Sequence, residues 1–559
     1  MQTTFSEIDQ SLSELRAAAP RLQQMSAAER ARLARQCLLG VAAVADDWID
    51  VSCATKGLDP RSPLAAEEII AGPMATVRFL RLLADALHAT QNQGRPTLPG
   101  SPYVGAGDQV IVPVFPTRGP MYDRLLFIGF RCAVWMRSGI TLDSLAQHMA
   151  GEFRPSQREP CVCLVLGAGN VSSIAATDML TKLLQEGRTV LLKMNPVNAY
   201  LGPLFARAFD VLLREGFLRL VYGGAEVGSY ATQHDSVDAV HITGSTATHR
   251  AIVWGTDPDD RAHRMANQDP LLTKTITSEL GNVTPWIIVP GQYSQRQLRA
   301  QAENLTASIV NNASFNCVAT KMIVTSRSWP QREQFLDCLE SILSRVPRRK
   351  AYYPGAAERF ERFAAQTIDG DGQTLPWTLR RDVNPRDHAH LFEEESFACV
   401  LGETALSVPS TEEFLDAAAE LANNRLWGTL AANATVPSAY RRTPHGEAHF
   451  QKFLGTLRYG TISVNQWAGV AFGLMGSPWG GFPGASLADP HSGIGWVHNI
   501  SMLDGAEKTV FEGPLFVWPK PSWFPTNRTA HIVARRVLDL YTHPAWWKLP
   551  LITLSAARG

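Results

Sequence analysis

The chain has 559 residues, which at roughly 150 residues per domain allows three or four folding units with packed cores and excludes a peptide-sized module. Its 52 Lys and Arg balance 52 Asp and Glu, so it lacks the basic footprint of a nucleic-acid binder. With 45% hydrophobic and 19% charged residues, the composition is that of a mixed α/β protein and is far from the disordered or collagenous classes. Eight cysteines spread over this length are too sparse for a disulfide framework and imply a reducing, cytoplasmic setting. Met1 to Gln10 includes Glu7 and Asp9 and has neither the basic nor the apolar region of a secretory signal. No window approaches the ~18 to 20 apolar residues that a membrane span needs.

In chain order, residues 1 to about 90 are expected to be helical. Ser26-Ala-Ala-Glu29 forms a capping box ahead of an Ala/Leu/Arg-rich stretch running to about Asp46. Between about 91 and 155, Gly94, Pro96, Pro99 and Gly100 punctuate the chain, and Gln109-Val-Ile-Val-Pro-Val-Phe115 predicts an exposed strand. From Cys161 the pattern is regular: an apolar run to Leu166, a Gly-rich turn, a helix to about Gln185, and a second apolar run, Thr189 to Leu192. That is a βαβ unit. A helix over 204–215 and strands over 218–222 and 239–243 continue the alternation and imply a parallel sheet. A second α/β region starts near Thr275, with strands over 285–289 and 321–325 and a helix from about Arg332 to Val346. Residues 501–559 hold four of the fourteen Trp (Trp518, Trp523, Trp546, Trp547) and a basic helix around His531 to Leu540, and look like an appendage to the fold.

The chemistry-bearing residues are individually ambiguous. Gly167-Ala-Gly169-Asn170 follows a strand and opens a helix, which suits an anion, but the third glycine of a dinucleotide fingerprint is missing. Cys317, in Asn312-Ala-Ser-Phe-Asn-Cys317, is equally a buried structural thiol or a nucleophile. Taken alone, Glu279 is equally a solvated carboxylate, Asn170 a turn residue and Lys193 a strand-end cation.

Their order decides between these readings. Asn170 after the first strand, Lys193 after the second, Thr243-Gly-Ser245 after a later one, Glu279-Leu-Gly281, Cys317 and Glu394-Glu-Ser-Phe397 follow one another as in a single family. Trp427-Gly428, Gly460-Thr-Ile-Ser-Val-Asn465 and Pro478-Trp-Gly-Gly-Phe482 extend the pattern. The sequence from about residue 20 to about 498 resembles the aldehyde dehydrogenase superfamily. The resemblance implies a Rossmann-like nucleotide-binding domain, an α/β catalytic domain and a small oligomerisation element. On that basis residues 1–100 and 155–274 would form the first, 275–475 the second, 101–154 and 476–500 the third, and 501–559 a Trp-rich C-terminal extension.

The resemblance also implies roles. Cys317 would be the nucleophile, Asn170 with the Cys317 backbone N–H would stabilise the oxyanion, and Glu279 would activate water. Lys193, Gly244, Ser245, Glu395 and Phe397 would bind the cofactor, NAD or NADP, and no metal is implied. The expected activity is NAD(P)-dependent oxidation of an aldehyde to a carboxylic acid by a homo-oligomer, a dimer or a dimer of dimers. A CoA-linked long-chain acyl-CoA reductase is the alternative suggested by Gly169-Asn170-Val171, and a non-catalytic nucleotide- or partner-binding member is a third.

Several departures from the family pattern stand out. Ser314-Phe315 replaces the usual Gly-Gln, and Val310 replaces an aromatic residue. Pro196 stands where many NAD-preferring relatives have a glutamate. His249 replaces a small residue, and the charged stretch Asp257 to Arg264 suggests an inserted loop beside the cofactor. The C-terminal tail is expected to pack across a subunit or domain surface, with peripheral membrane contact as its second reading.

Overall fold

The computed structural model describes residues 2–154, 159–368 and 372–559. The domain boundary expected at residue 155 falls outside them.

The N-terminal helices start where their caps dictate. In Phe5–Gln24 the Thr4 hydroxyl accepts from the Glu7 N–H while Glu7 accepts from the Thr4 N–H, and Ser26 and Glu29 repeat the motif ahead of Ala27–Ala43; each box contributes about 1 kcal/mol. The second helix breaks at Val44, and Ala45–Thr55 continues as a separate helix. The expected helix over 204–215 is likewise two, Gly202–Ala208 and Asp210–Arg214, joined at Phe209.

The five-stranded parallel sheet runs in the spatial order Leu218–Val221, Thr189–Lys193, Val162–Leu166, Ala239–Thr243, Thr275–Glu279. Its three inner strands, Thr189–Lys193, Val162–Leu166 and Ala239–Thr243, are buried almost throughout because helices cover both faces. Ala239–Thr243 and Thr275–Glu279 are in register to their last residues, Thr243 opposite Glu279. The boundary expected between 274 and 275 is therefore displaced: the strand ending in Glu279 closes the first sheet.

The second sheet has ten strands. Its parallel centre orders Thr461–Val464, Ala431–Thr435, Thr284–Ile288, Thr320–Ser326, Val400–Leu406 and Thr378–Arg380. On the other side of Thr461–Val464 lies Ala506–Glu512, parallel to it, followed by the antiparallel strands Arg131–Met136, Val110–Phe115 and Tyr103–Val104.

Two expectations fail here. Val110–Phe115 is almost wholly buried, because its partner strand and the core around Trp135 cover it. Residues 501–559 do not form an appendage: Ala506–Glu512 is an interior strand whose Phe511 is fully buried. The helix Ala530–Thr542 then returns to the N-terminal helices, where the buried Arg78 guanidinium donates to both Asp123 carboxylate oxygens and to the Tyr541 hydroxyl at 2.9 Å. Trp518, Trp546 and Trp547 stay exposed. No helix among the described residues is long and apolar enough to cross a membrane.

Candidate active site

The C-terminal ends of the five parallel strands face the ten-stranded sheet across a cavity of about 1040 Å³, the crevice at which open α/β sheets bind ligands. Lys193, Gly244, Ser245, Glu279, Cys317, Glu395 and Phe397 all line it, as does Asn170. The eight residues singled out from the sequence are thus brought together.

Each is placed by its element. Asn170 is buried in the turn after Val162–Leu166, and its side-chain amide donates to the Phe315 carbonyl at 2.9 Å. Lys193 ends its strand; its ammonium makes no hydrogen bond or ion pair among the described residues, and burial lowers its pKa. Gly244 and Ser245 form the turn into Thr246–Trp254, with the Ser245 hydroxyl accepting from the Thr248 N–H as a cap. That leaves a helix N-terminus opening on the cavity. His249, inside this helix, is fully buried with both ring nitrogens unpartnered, and burial drops its pKa to about 4. It is a neutral packing residue.

The Cys317 thiol donates to Glu279 Oε1 at 3.4 Å. Burial, with the negative charges of Asp178 and Glu395, pushes the Glu279 carboxyl up to about 7. Burial also raises the Cys317 thiol well above the ordinary range, and the charges of Glu279 and Glu395 add to this. The pair therefore rests as a neutral thiol beside a carboxyl that titrates near neutrality, the protonation a general base needs.

Glu395 is held against glycine: a Cβ on Gly281 would lie 2.0 Å from Glu395 Oε2. Burial raises its carboxyl pKa, and the Lys321 ammonium opposes that shift. Phe397 stands beside Tyr353 and Phe315, with ring centroids 5.0 and 5.9 Å away. Its backbone is left-handed, φ 41°.

The loop before Cys317 is the least ordinary backbone in the molecule. Asn312, Ala313 and Ser314 are consecutive left-handed residues, φ 53°, 54° and 70°, each costing about 1 kcal/mol or more for a non-glycine side chain. Neighbouring groups hold them: the buried Lys321 ammonium donates to the Ser314 carbonyl at 3.2 Å and hydroxyl at 3.1 Å, and the partly buried Glu67 accepts from the Asn312 N–H at 2.9 Å. Lys56, Glu68, Asn312, Tyr352 and Lys321 were not legible as site residues. They come from separate segments, and only the paired Asn311-Asn312, a residue type tolerant of the left-handed region, gave a local signal. A second unread group, Asp178, is buried behind Glu279; it accepts from the Thr243 hydroxyl at 2.7 Å, and His241 Nε2 lies 3.4 Å away.

The charged stretch expected as a loop is a helix, Pro258–Asn267, because the Asp257 carboxylate caps the Asp259 and Asp260 N–H groups and Pro258 occupies the first turn. Asp257, Asp260 and Arg264 reach the cavity wall. Pro196 is not among the lining residues, whereas the neighbouring Asn195 is.

Residues 131–349 match the model of the aldehyde dehydrogenase family. The chain is 26% identical over 214 residues to 4-trimethylaminobutyraldehyde dehydrogenase A of Danio rerio, covering 37% of this chain and 38% of that protein. It is 27% identical over 166 residues to the Homo sapiens 4-trimethylaminobutyraldehyde dehydrogenase, covering 29% and 31%. The matched stretch thus spans less than two-fifths of either relative. In three dimensions it resembles the Mycobacterium tuberculosis aldehyde dehydrogenase complexed with NAD+, with a TM-score of 0.61, 19% identity and coverage of 91% of this chain and 90% of that one. For the Bacillus halodurans NADP-dependent glyceraldehyde-3-phosphate dehydrogenase complexed with NADP, the TM-score is 0.59 at 16% identity, with coverage of 91% and 92%. Residues 131–349 thus match the aldehyde dehydrogenase family by sequence, and over about nine-tenths of its length the chain shares the fold of solved aldehyde dehydrogenases.

Proposed function

We propose that the chain oxidises an aldehyde to the carboxylic acid with NAD or NADP as oxidant. The observation that carries this reading is the Cys317 thiol 3.4 Å from Glu279 Oε1 in the same cavity as Asn170, Lys193 and Glu395.

The cavity fits a dinucleotide. Among the described residues, Glu395 Oε1 is buried without a partner and the Lys193 ammonium is unpaired, and the helix after Ser245 presents N–H groups. Lys193 and Glu395 would take the two riboses, Gly244 and Ser245 the diphosphate, and Phe397 would flank the nicotinamide. When bound, the cofactor supplies a hydride acceptor.

The protein's own residues do the rest. Glu279, or water beside it, takes the Cys317 proton, and the thiolate adds to the carbonyl carbon. The oxyanion so formed faces the second N–H of the Asn170 amide, the first being committed to Phe315. Once the carbon is oxidised to a thioester, Glu279 removes a proton from the water that attacks it, and the acid leaves as Cys317 is restored.

A panel of aldehydes, including 4-trimethylaminobutyraldehyde and aliphatic aldehydes of increasing length, offered with NAD and with NADP should give reduced nicotinamide without CoA. Cys317→Ala should abolish it. Turnover only with CoA or an acyl-CoA would establish the reductase alternative instead, and unchanged activity in Cys317→Ala would remove the cysteine mechanism. For assembly, we propose a dimer built through residues 101–154 and 476–500, measurable by light scattering. The free thiols favour a reducing compartment.

A further inference from the structure

The segment that carries the reacting cysteine is clamped from the N-terminal helical region, outside both sheets. Lys56 is buried, with 2% of its side chain exposed, and pairs with Glu68, 3% exposed, at 2.8 Å. Its ammonium has two further acceptors, the Asn170 carbonyl and Asn312 Oδ1, each at 3.0 Å. The Tyr352 hydroxyl reaches the same two oxygens at 3.0 and 2.8 Å. Asn312 Nδ2 closes the circuit, donating to the Asn170 carbonyl at 2.9 Å and the Phe315 carbonyl at 3.1 Å. The Asn170 carbonyl thus has three donors around it, and all of them also engage Asn312 or belong to it.

We infer that Lys56 is a positioning residue: with Tyr352 it locks the Asn170 turn to the left-handed turn at 312–314, and so fixes the Asn170 amide relative to Cys317. This rests on the proposed aldehyde chemistry, in which that spacing sets how well the oxyanion is met. The reasons are physical. Three adjacent non-glycine residues do not remain left-handed without outside restraint, and among the described residues Lys56 is the one cation shared by both turns. A neutral carbonyl would not justify burying an ion pair for stability alone, since such pairs often add little net stability. Asn170 belongs to the nucleotide-binding sheet and Cys317 to the catalytic one, so the clamp fixes a distance that neither sheet sets by itself.

The test uses the full chain, hexanal as substrate and whichever dinucleotide supports turnover. Lys56→Met should lower kcat about tenfold or more, the scale of a small misplacement at the reacting centre, with KM for the dinucleotide held within about twofold. Amide hydrogen exchange at 311–317 should quicken while Thr189–Lys193 stays protected. Tyr352→Phe, which keeps shape and charge, should lower kcat by about threefold. Lys56→Met/Glu68→Met leaves no lone buried charge, so its melting temperature should recover toward wild type while kcat stays low. If kcat recovers along with stability in the double variant, or if exchange at 311–317 is unchanged in Lys56→Met, the positioning role is overturned. Should the wild-type chain oxidise no aldehyde at all, the proposed function fails on its own, and the exchange measurement still decides the clamp.

Discussion

Glu279 shows how burial and neighbouring charge prepare a group for work. A carboxyl surrounded by protein and by the charges of Asp178 and Glu395 holds its proton to about pH 7, two to three units above an ordinary glutamate. In its proposed role as base it is active only when deprotonated, so thioester hydrolysis should rise with pH through about 7 and level off above it, measured as the steady-state rate after the burst of reduced cofactor. Glu279→Gln should leave the burst and remove the steady-state phase. The same shift bears on stability. A carboxyl whose folded pKa lies above its unfolded value costs stability as pH rises from about 4.5 to about 7. Glu279→Gln should therefore melt higher than wild type at pH 8 and differ little at pH 5, by calorimetry. Gly281 works by what it lacks. In Gly281→Ala the new methyl would occupy the position of Glu395 Oε2, 2.0 Å away, and the carboxylate must move. The expected result is at least a tenfold rise in KM for the dinucleotide, about 1.4 kcal/mol, with the melting temperature nearly unchanged.

At the scale of elements, the most consequential strand is Ala506–Glu512. It is hydrogen-bonded on both edges, to Thr461–Val464 and to Arg131–Met136, so a chain ending at residue 500 would lose the link between the parallel centre and the antiparallel wing of the sheet. Such a truncation should be insoluble or unfolded by circular dichroism, because two strand edges are laid bare. Its sequence explains why it was unreadable. Ala506-Glu-Lys-Thr-Val-Phe-Glu512 alternates weakly, and Lys508 is buried with its ammonium on three backbone carbonyls, of Leu454, Gly455 and Leu457. A lysine at a core position reads locally as a surface position. By contrast, the strands 162–166, 189–193 and 239–243 were legible almost to the residue, since a strand buried on both faces must be continuously apolar. The charged helix Pro258–Asn267 was misread for the opposite reason: it has no buried residue and so no apolar period, only its Asp-Pro cap.

At the scale of the molecule, the site is a seam between two sheets. The order of Asn170, Lys193, Gly244, Ser245, Glu279, Cys317, Glu395 and Phe397 sufficed to nominate it, since each closes a strand or a turn on the cavity. What order could not give is the polar framework behind them. Lys56, Glu68, Tyr352 and Asp178 come from distant segments and find their partners only after folding; Lys56 and Asn312 alone are 256 residues apart. A ligand lying across such a seam stabilises both halves together. NAD or NADP at a hundred times its dissociation constant should add about 2.7 kcal/mol to unfolding, seen as a rise in melting temperature. The dinucleotide giving the larger rise at equal concentration identifies the preferred cofactor.

The late position of the strand Ala506–Glu512 also sets a timetable for synthesis. The five-stranded sheet is complete once residue 279 has been made and can fold while translation continues. The ten-stranded sheet cannot close until the ribosome has released residue 512. Until then Arg131–Met136, made early, waits without its interior neighbour, exposing an apolar edge to other nascent chains. Yield in a cell should therefore depend on chaperone capacity until residue 512 has been made, and a premature stop just before residue 506 should be more aggregation-prone than one just after residue 512.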